Sequence, residues 1–346
     1  MDAKGDSKKR GVAIAYDSRH FSREFAFDAA RVLAHHDIPS YVFESLRPTP
    51  ELSFAIRELG TLTGIMITAS HNPAPYNGYK VYGEDGGQMP PEDADKLTEY
   101  IKEIDDIFHI PMADEASELI TIIGDDIDKK YLENVKSVTI NQAIIDNYGK
   151  NLNIVFTPLH GTGEMLGRKT LAQAGFEKIA VVEEQAIPDG DFPTLKSPNP
   201  ESQAAFELSE KLGHEVNADM LVATDPDADR IGVEVRLPDG SYQPLTGNQI
   251  GAVLAKYILE AHKQAGTLPE NAAIVKSIVS TELVTAITKS YDVKMINVLT
   301  GFKFIAEQIQ AFEETGSQTY MMGFEESFGY LIKPFARDKD AIQALL

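Results

Sequence analysis

The sequence predicts an α/β fold of three consecutive domains with mixed, largely parallel sheets. Two observations carry that expectation. Short apolar runs of strand character alternate with longer segments in which apolar residues recur at helical spacing, and this rhythm restarts twice along the chain. The length of 346 residues suits two or three domains of ordinary size. Such alternation implies right-handed crossover units and mostly parallel pairing.

The elements follow in order. "GVAIAYD" (11–17) reads as a buried strand and "SREFAFDAARVLAHH" as an amphipathic helix. "SYVFES", the helical "PELSFAIRELG" and the strand "GIMITAS" come next. "PPEDADKLTEYIKEI" opens with proline and acids, which favours a helix start. The second round runs from "LNIVFTPLHG" through "EMLGRKTLAQAG", "KIAVVEEQ" and "ESQAAFELSEKLGHEV" to "ADMLVATD". The third contains "GNQIGAVLAKYILEAHKQ", "AAIVKSIVS", "TELVTAITKSY", "VKMINVLTG", "KFIAEQIQAFEETG" and "QTYMMGFEES". The expected division is a first domain over 1–112, a connection over 113–130, a second domain over 131–237 and a third over 238–346.

Composition narrows the class. Hydrophobic content of 43% and charged content of 25% are those of a globular protein. No apolar run approaches the ~20 residues of a membrane span, and the polar opening MDAKGDSKKR offers no signal peptide. A cytoplasmic location is the default expectation, with no membrane partner. The absence of cysteine excludes thiolate catalysis, disulfides and Cys-based zinc sites. A net charge of −21 argues against nucleic acid as a partner. It also repels anionic substrates, so a phosphate ester would need local arginine, lysine or a metal.

"ATDPDADR" (223–230) is the strongest local signal. It follows an apolar strand, where open α/β sheets place ligands. Asp225, Asp227 and Asp229 alternate, so an extended loop turns all three carboxylates toward one point. Crowding them requires a cation, and Mg²⁺ suits a site with few protein ligands. An EF-hand would need glycine and an acid where Arg230 and Arg236 stand. A solvated acidic turn is the bland alternative; Arg230 opposes it, since a fixed cation beside a metal suits a phosphate.

Other stretches are ambiguous on their residues alone. "TASHNP" (68–73) is either a strand-to-loop turn or a displayed nucleophile, with His71 beside Ser70. "HGTGEMLGRKT" lacks the P-loop spacing and reads as a structural turn. "GFEESFGY" is no nucleophile elbow, because Glu325 stands where the first glycine belongs; it fits a sugar face or a plain polar turn. "ARDKDA" (336–341) offers Lys339 as an acid or base if burial lowers its pKa, or as part of a solvated helix start. Lys80 is ambiguous in the same way.

Taken together, TASHNP, DPDADR, GFEES and RDKDA resemble in this order the α-D-phosphohexomutases. The longer stretches "TASHNPAPYNGYKVY", "PDGDFPTLKSPNPE", "ATDPDADRIGV", "LTGNQ" and "TGFKFI" look most like the bacterial phosphoglucomutase branch. The resemblance implies an active site in the cleft between the domains and a phosphoserine enzyme, an isomerase that moves a phosphoryl group within a hexose phosphate. Ser70 matches the phosphoryl-carrying serine, and with Asp225, Asp227 and Asp229 it supplies oxygens to Mg²⁺. Lys80 and Lys339 match lysines of phosphate contact and proton transfer. His71, Arg230, Thr300, Gly301, Glu325 and Ser327 match substrate-binding positions. Glucose 1,6-bisphosphate would be the activator. The implied reaction interconverts α-D-glucose 1-phosphate and glucose 6-phosphate; mannose, pentose or amino-sugar phosphates are the alternative substrates, and a weakly active sugar-phosphate-binding fragment is the alternative of another class.

Two parts of that family's pattern are not seen: an arginine-glycine segment before the first strand, and a fourth domain whose serine-glycine-threonine loop holds the distal phosphate. Both ends read as cut, and "DKDAIQALL" begins a helix without a stop signal. Without that anchor, remote binding energy is lost, so the expectation is a competent metal and phosphoserine site with little mutase turnover. Oligomeric state is not legible.

Overall fold

A computed structural model describes residues 8–346 of the chain. The opening polar stretch up to Ser7 lies outside the described residues. The first domain contains β1 (Val12–Tyr16), α1 (Ser22–His35), β2 (Ser40–Phe43), α2 (Thr49–Leu59), β3 (Thr63–Ile67), β4 (Tyr79–Tyr82), α3 (Pro91–Lys102) and β5 (Ile120–Ile123). Its sheet has the order β4-β3-β1-β2-β5, parallel except for the antiparallel β3–β4 pair. The unbroken apolar character of β1 has a direct cause: both of its faces are covered. Val12, Ile14 and Tyr16 pack with Ala26 and Ala30 of α1, whereas Ala13 and Ala15 pack with Leu52, Ala55 and Ile56 of α2.

The expected connection at 113–130 contains structure. Ile120–Ile123 pairs in parallel with β2 and forms the edge of the first sheet. Its sequence is apolar apart from Thr121, but as an edge strand it leaves Thr121 and Ile122 exposed. Helices α4 (Asp125–Lys136) and α5 (Gln142–Tyr148) then lead into the second domain.

That domain comprises β6 (Asn153–Thr157), α6 (Gly163–Ala174), β7 (Lys178–Val181), α7 (Glu183–Ala186), α8 (Glu207–Val216), β8 (Met220–Thr224), β9 (Ile231–Arg236) and β10 (Tyr242–Pro244), in the sheet order β10-β9-β8-β6-β7. The third has α9 (Gly247–Ala265), β11 (Ala272–Ser277), α10 (Leu283–Ser290), β12 (Lys294–Val298), α11 (Phe302–Thr315), β13 (Thr319–Glu325), β14 (Gly329–Leu331) and α12 (Ala341–Ala344), in the order β12-β11-β13-β14. A capping box between Thr246 and Gln249 starts α9. One apolar core joins these two domains, since Phe156, Val222 and Ile231 pack together with Ile250, Ala255, Ile274 and Phe324.

Each sheet ends in antiparallel strands that the alternation rule does not foresee: β4, then β9 and β10, then β14. β4, β9 and β14 each return along a neighbouring strand, and β10 turns back on β9.

Charged groups are buried between the domains as well. The Arg47 guanidinium holds both oxygens of Asp128 on α4, at 2.8 and 3.0 Å, with Glu51 of α2 at 3.8 Å. All three side chains are buried. Removing the cation strands two acids, so Arg47→Ala should cost about 3–5 kcal/mol in urea unfolding; a loss under about 1 kcal/mol would contradict this pairing. Glu234 on β9 is also fully buried, and no donor among the described residues reaches its carboxyl oxygens. Burial, then the neighbouring Glu210, pushes its pKa from 4.5 up to about 7. The folded chain holds that proton where the unfolded chain has released it, so this contribution falls as pH rises through the window. Glu234→Gln should therefore gain melting temperature relative to the parent between pH 4.5 and 7, and a pH-independent difference would refute it.

Candidate active site

Three hairpin loops meet at the domain boundaries, each between a central strand and its antiparallel return. Ser70 lies between β3 and β4, the three aspartates lie between β8 and β9, and Glu325 closes β13 before β14. Each loop has one non-glycine residue in the left-handed backbone region: Ser70 at φ 50°, Ala228 at φ 49° and Phe328 at φ 66°. Such residues are uncommon and persist where the surroundings over-determine them.

At the first loop, Arg19 supplies that constraint. Its guanidinium donates to the carbonyls of Ser70, Asn72, Pro73 and Tyr76, and lies 3.2 Å from Asp17. Asp17 in turn accepts from the Thr68 hydroxyl at 2.6 Å and from Ser22 at 2.7 Å. Thr68 Oγ1 accepts the Ser70 N–H at 2.8 Å. Burial pushes Asp17 up, against these hydrogen bonds and the Arg19 charge. From the second domain, Ser197 donates to the His71 carbonyl at 2.7 Å.

Ser70 Oγ donates to Asp225 Oδ2 at 2.6 Å across the boundary between the first two domains. Asp225, Asp227 and Asp229 are buried, and one carboxylate oxygen from each lies within 4.8 Å of the others. The loop is seated on "HGTG": Thr162 N–H donates to the Pro226 carbonyl at 2.8 Å, and a Cβ on Gly161 would lie 2.3 Å from Pro226 Cα. That stretch is therefore a structural turn, as its spacing indicated.

Opposite charge converges on the acids. Lys80 of β4 lies 2.8 Å from Asp227 Oδ2 and 3.4 Å from Asp229 Oδ2. Lys339 reaches Asp229 Oδ2 at 3.1 Å from the third domain. Arg230 donates its N–H to Asp225 Oδ1 at 3.0 Å and pairs its guanidinium with Glu201. Burial and the two neighbouring carboxylates push Asp225 up. Burial would do the same to Asp227, but Lys80 and the Thr49 hydroxyl hold it below the usual range.

The lysines do not behave as the sequence allowed. Burial lowers a lone lysine, yet Asp227 and Asp229 hold Lys80 well above its ordinary value, and Asp229 and Asp338 raise Lys339. "ARDKDA" is no solvated helix start: Arg337, Asp338 and Asp340 are buried, and Asp338 accepts from Tyr82 of the first domain at 2.8 Å. Burial and Arg230 push His71 down to about 4; its Nδ1 lies 3.3 Å from Ser70 Oγ.

Glu325 is buried and accepts the Gly301 N–H at 2.7 Å, joining its loop to the Thr300-Gly301 turn. Burial pushes its pKa up, against Lys339. Lys339 runs beside this loop, because a Cβ on Gly329 would lie 2.2 Å from its side chain. A bridge between Arg230 and Gly329 ties the loop to the acidic one. Thr300 is exposed and Ser327 half-buried; among the described residues neither hydroxyl bonds to the carboxylate group. Sequence reasoning missed Asp17, Arg19, Thr49, Thr68, Tyr82, Ser197 and Asp338. "YDSRH" stands at the carboxyl end of a parallel strand, so the rule that singled out "ATDPDADR" also applies to Asp17 and Arg19.

A hard cation fits the donor set. Oδ1 of Asp227 and of Asp229 is buried without a hydrogen-bond partner, beside a third carboxylate.

Models of the phosphoglucomutase/phosphomannomutase α/β/α domains I, II and III match residues 1–107, 129–237 and 246–346. The chain belongs to the phosphoglucomutase/phosphomannomutase family. It is 42% identical over 337 residues to a phosphoglucomutase of Staphylococcus epidermidis, and 40% identical over 335 to one of Staphylococcus aureus. These alignments take in 96% of the chain but only 59% and 58% of the relatives' lengths. The fold is also that of parafusin, a phosphoglucomutase from Paramecium in its open form. That match has a TM-score of 0.76 and 22% identity, and it covers 99% of this chain and 63% of the other.

Because Arg19 alone joins four carbonyls of the Ser70 loop, Arg19→Ala should speed amide hydrogen exchange across 70–78 while leaving β8 protected. Unchanged exchange there would show that the loop holds its shape without the guanidinium.

Proposed function

We propose that this family member is a phosphoglucomutase, interconverting α-D-glucose 1-phosphate and glucose 6-phosphate through phosphoserine at Ser70 and a bisphosphorylated sugar. The observation that carries the reading is Ser70 Oγ, 2.6 Å from Asp225 inside a buried set of carboxylates and cations. The names of the Staphylococcus relatives support glucose over mannose or pentose phosphates. Because the chain spans less than two thirds of their length, the activity of the longer relatives is part of this proposal.

Phosphoryl transfer depends on in-line positioning and on neutralising charge at the transferring oxygens. Asp225, Asp227 and Asp229, with an oxygen of phosphoserine 70, would hold Mg²⁺, which when bound supplies positive charge to the phosphoryl oxygens. Lys80, Lys339 and Arg230 add theirs from three domains. Both ammonium groups stay charged beside carboxylates, which suits neutralisation and proton donation rather than proton abstraction.

The chemistry then runs in two halves. A free sugar hydroxyl oxygen bonds to phosphorus as the bond from Ser70 Oγ to phosphorus breaks, and the proton that the sugar hydroxyl gives up is matched by the one that the departing Ser70 oxygen takes up. After the bisphosphate turns over, its other phosphoryl group returns to Ser70. Glu325, with Ser327 and the Thr300-Gly301 turn, is the proposed sugar grip. Short contacts of this kind accept two orientations of the ring. Glucose 1,6-bisphosphate would serve as activator by loading Ser70.

Incubation with Mg²⁺ and glucose 1,6-bisphosphate should add one phosphoryl group to the peptide containing Ser70, seen by intact mass and peptide mapping. Ser70→Ala should abolish that adduct, together with any residual mutase turnover in a coupled assay, while keeping sugar-phosphate binding. An adduct that persists in Ser70→Ala would overturn the assignment.

A further inference from the structure

Thr49 is the first residue of α2 and stands outside every motif singled out above. It contacts Asp227 twice across the domain boundary. The Thr49 hydroxyl donates to Asp227 Oδ2 at 2.7 Å, and the Thr49 N–H donates to the Asp227 carbonyl at 2.9 Å. Thr49 and Asp227 are both fully buried, and the N–H is one of those that a helix start leaves free. The start of α2 therefore holds the Asp227 backbone carbonyl, while the Thr49 hydroxyl holds its carboxylate. With Lys80 at 2.8 Å on the same oxygen, Oδ2 has two donors, whereas Oδ1 is buried and has none among the described residues.

We propose that Thr49 is a positioning residue of the metal centre: it fixes the Asp227 carboxylate so that Oδ1 faces the cation. The proposal rests on reading the three aspartates as the Mg²⁺ site. It makes the first domain a structural partner in metal binding, beyond contributing Ser70. Thr49 itself ligates nothing. The backbone clamp survives any side-chain change, so the substitution tests the hydroxyl alone. Valine at this position has nearly the shape of threonine and fills the same volume without a donor.

The test is Mg²⁺ binding by titration calorimetry on the full chain, run with Thr49→Val, Thr49→Ser and the parent, alongside thermal melting. Hydrogen bonds to charged groups are of a size that predicts about ten- to a hundredfold weaker Mg²⁺ binding in Thr49→Val. Thr49→Ser should restore parental affinity. The Mg²⁺ concentration for half-maximal loading of Ser70 from glucose 1,6-bisphosphate should rise by the same factor, and Thr49→Ser should restore both it and the metal-free melting temperature. Parental affinity in Thr49→Val overturns the proposal while leaving the metal site in place. No Mg²⁺ binding by the parent overturns the site reading, and the proposal with it. If Thr49→Val fails to fold, Thr49→Ala with Thr49→Ser as rescue decides between the same outcomes.

Discussion

Three buried carboxylates on one short hairpin are the constraint around which this chain is organised. Asp225, Asp227 and Asp229 lose hydration and repel one another at close range. A hairpin alone cannot stabilise that arrangement, so compensating groups must come from elsewhere. Lys80 and Thr49 come from the first domain, Arg230 from the loop itself and Lys339 from the third domain. The electrostatic demand of one loop thus brings three domains to one point. In a chain of net charge −21 it also gathers three cations at one place.

The domains answer with a shared device. A central strand delivers its loop to the sheet edge, and an antiparallel strand carries the chain back at once. The return strand pins the loop at both ends, and one left-handed residue makes the bend. Packing then holds these bends: Arg19 grips the carbonyls behind Ser70, Gly161 lets the acidic loop settle onto its neighbour, and Gly329 leaves room for Lys339.

Further contacts set how the domains meet. Tyr82 donates to Asp338, and Tyr131 of α4 donates to Asp340 at 2.8 Å, so the segment carrying Lys339 is anchored on both sides. The Ile342 side chain packs with Phe54, Tyr131 and Leu166 in one core. A lysine on so firmly held a segment, between Asp229 and Asp338, keeps its charge. Burial without those acids would have the opposite effect.

By itself the sequence determined the α/β class, the central strands and most helices, because a strand covered on both faces must read as an apolar run, and a helix against a sheet must repeat its apolar residues. The spacing of the three aspartates singled them out as a cation site, whereas Ser70 was marked only by the family resemblance, since its residues alone also suit a plain turn. Tertiary structure decided the rest. The antiparallel returns and β5 have no helix-strand rhythm of their own, and their pairing is set by the neighbouring strand. The protonation of Lys80 depends on acids 147 and 149 residues away in the chain, and that of Lys339 on Asp229, 110 residues away, as well as on its neighbour Asp338; the distant partners leave no local pattern. Arg19 and Thr49 look ordinary in sequence, since a hydrogen bond between domains leaves no periodic trace; only the folded contact assigns them to the site.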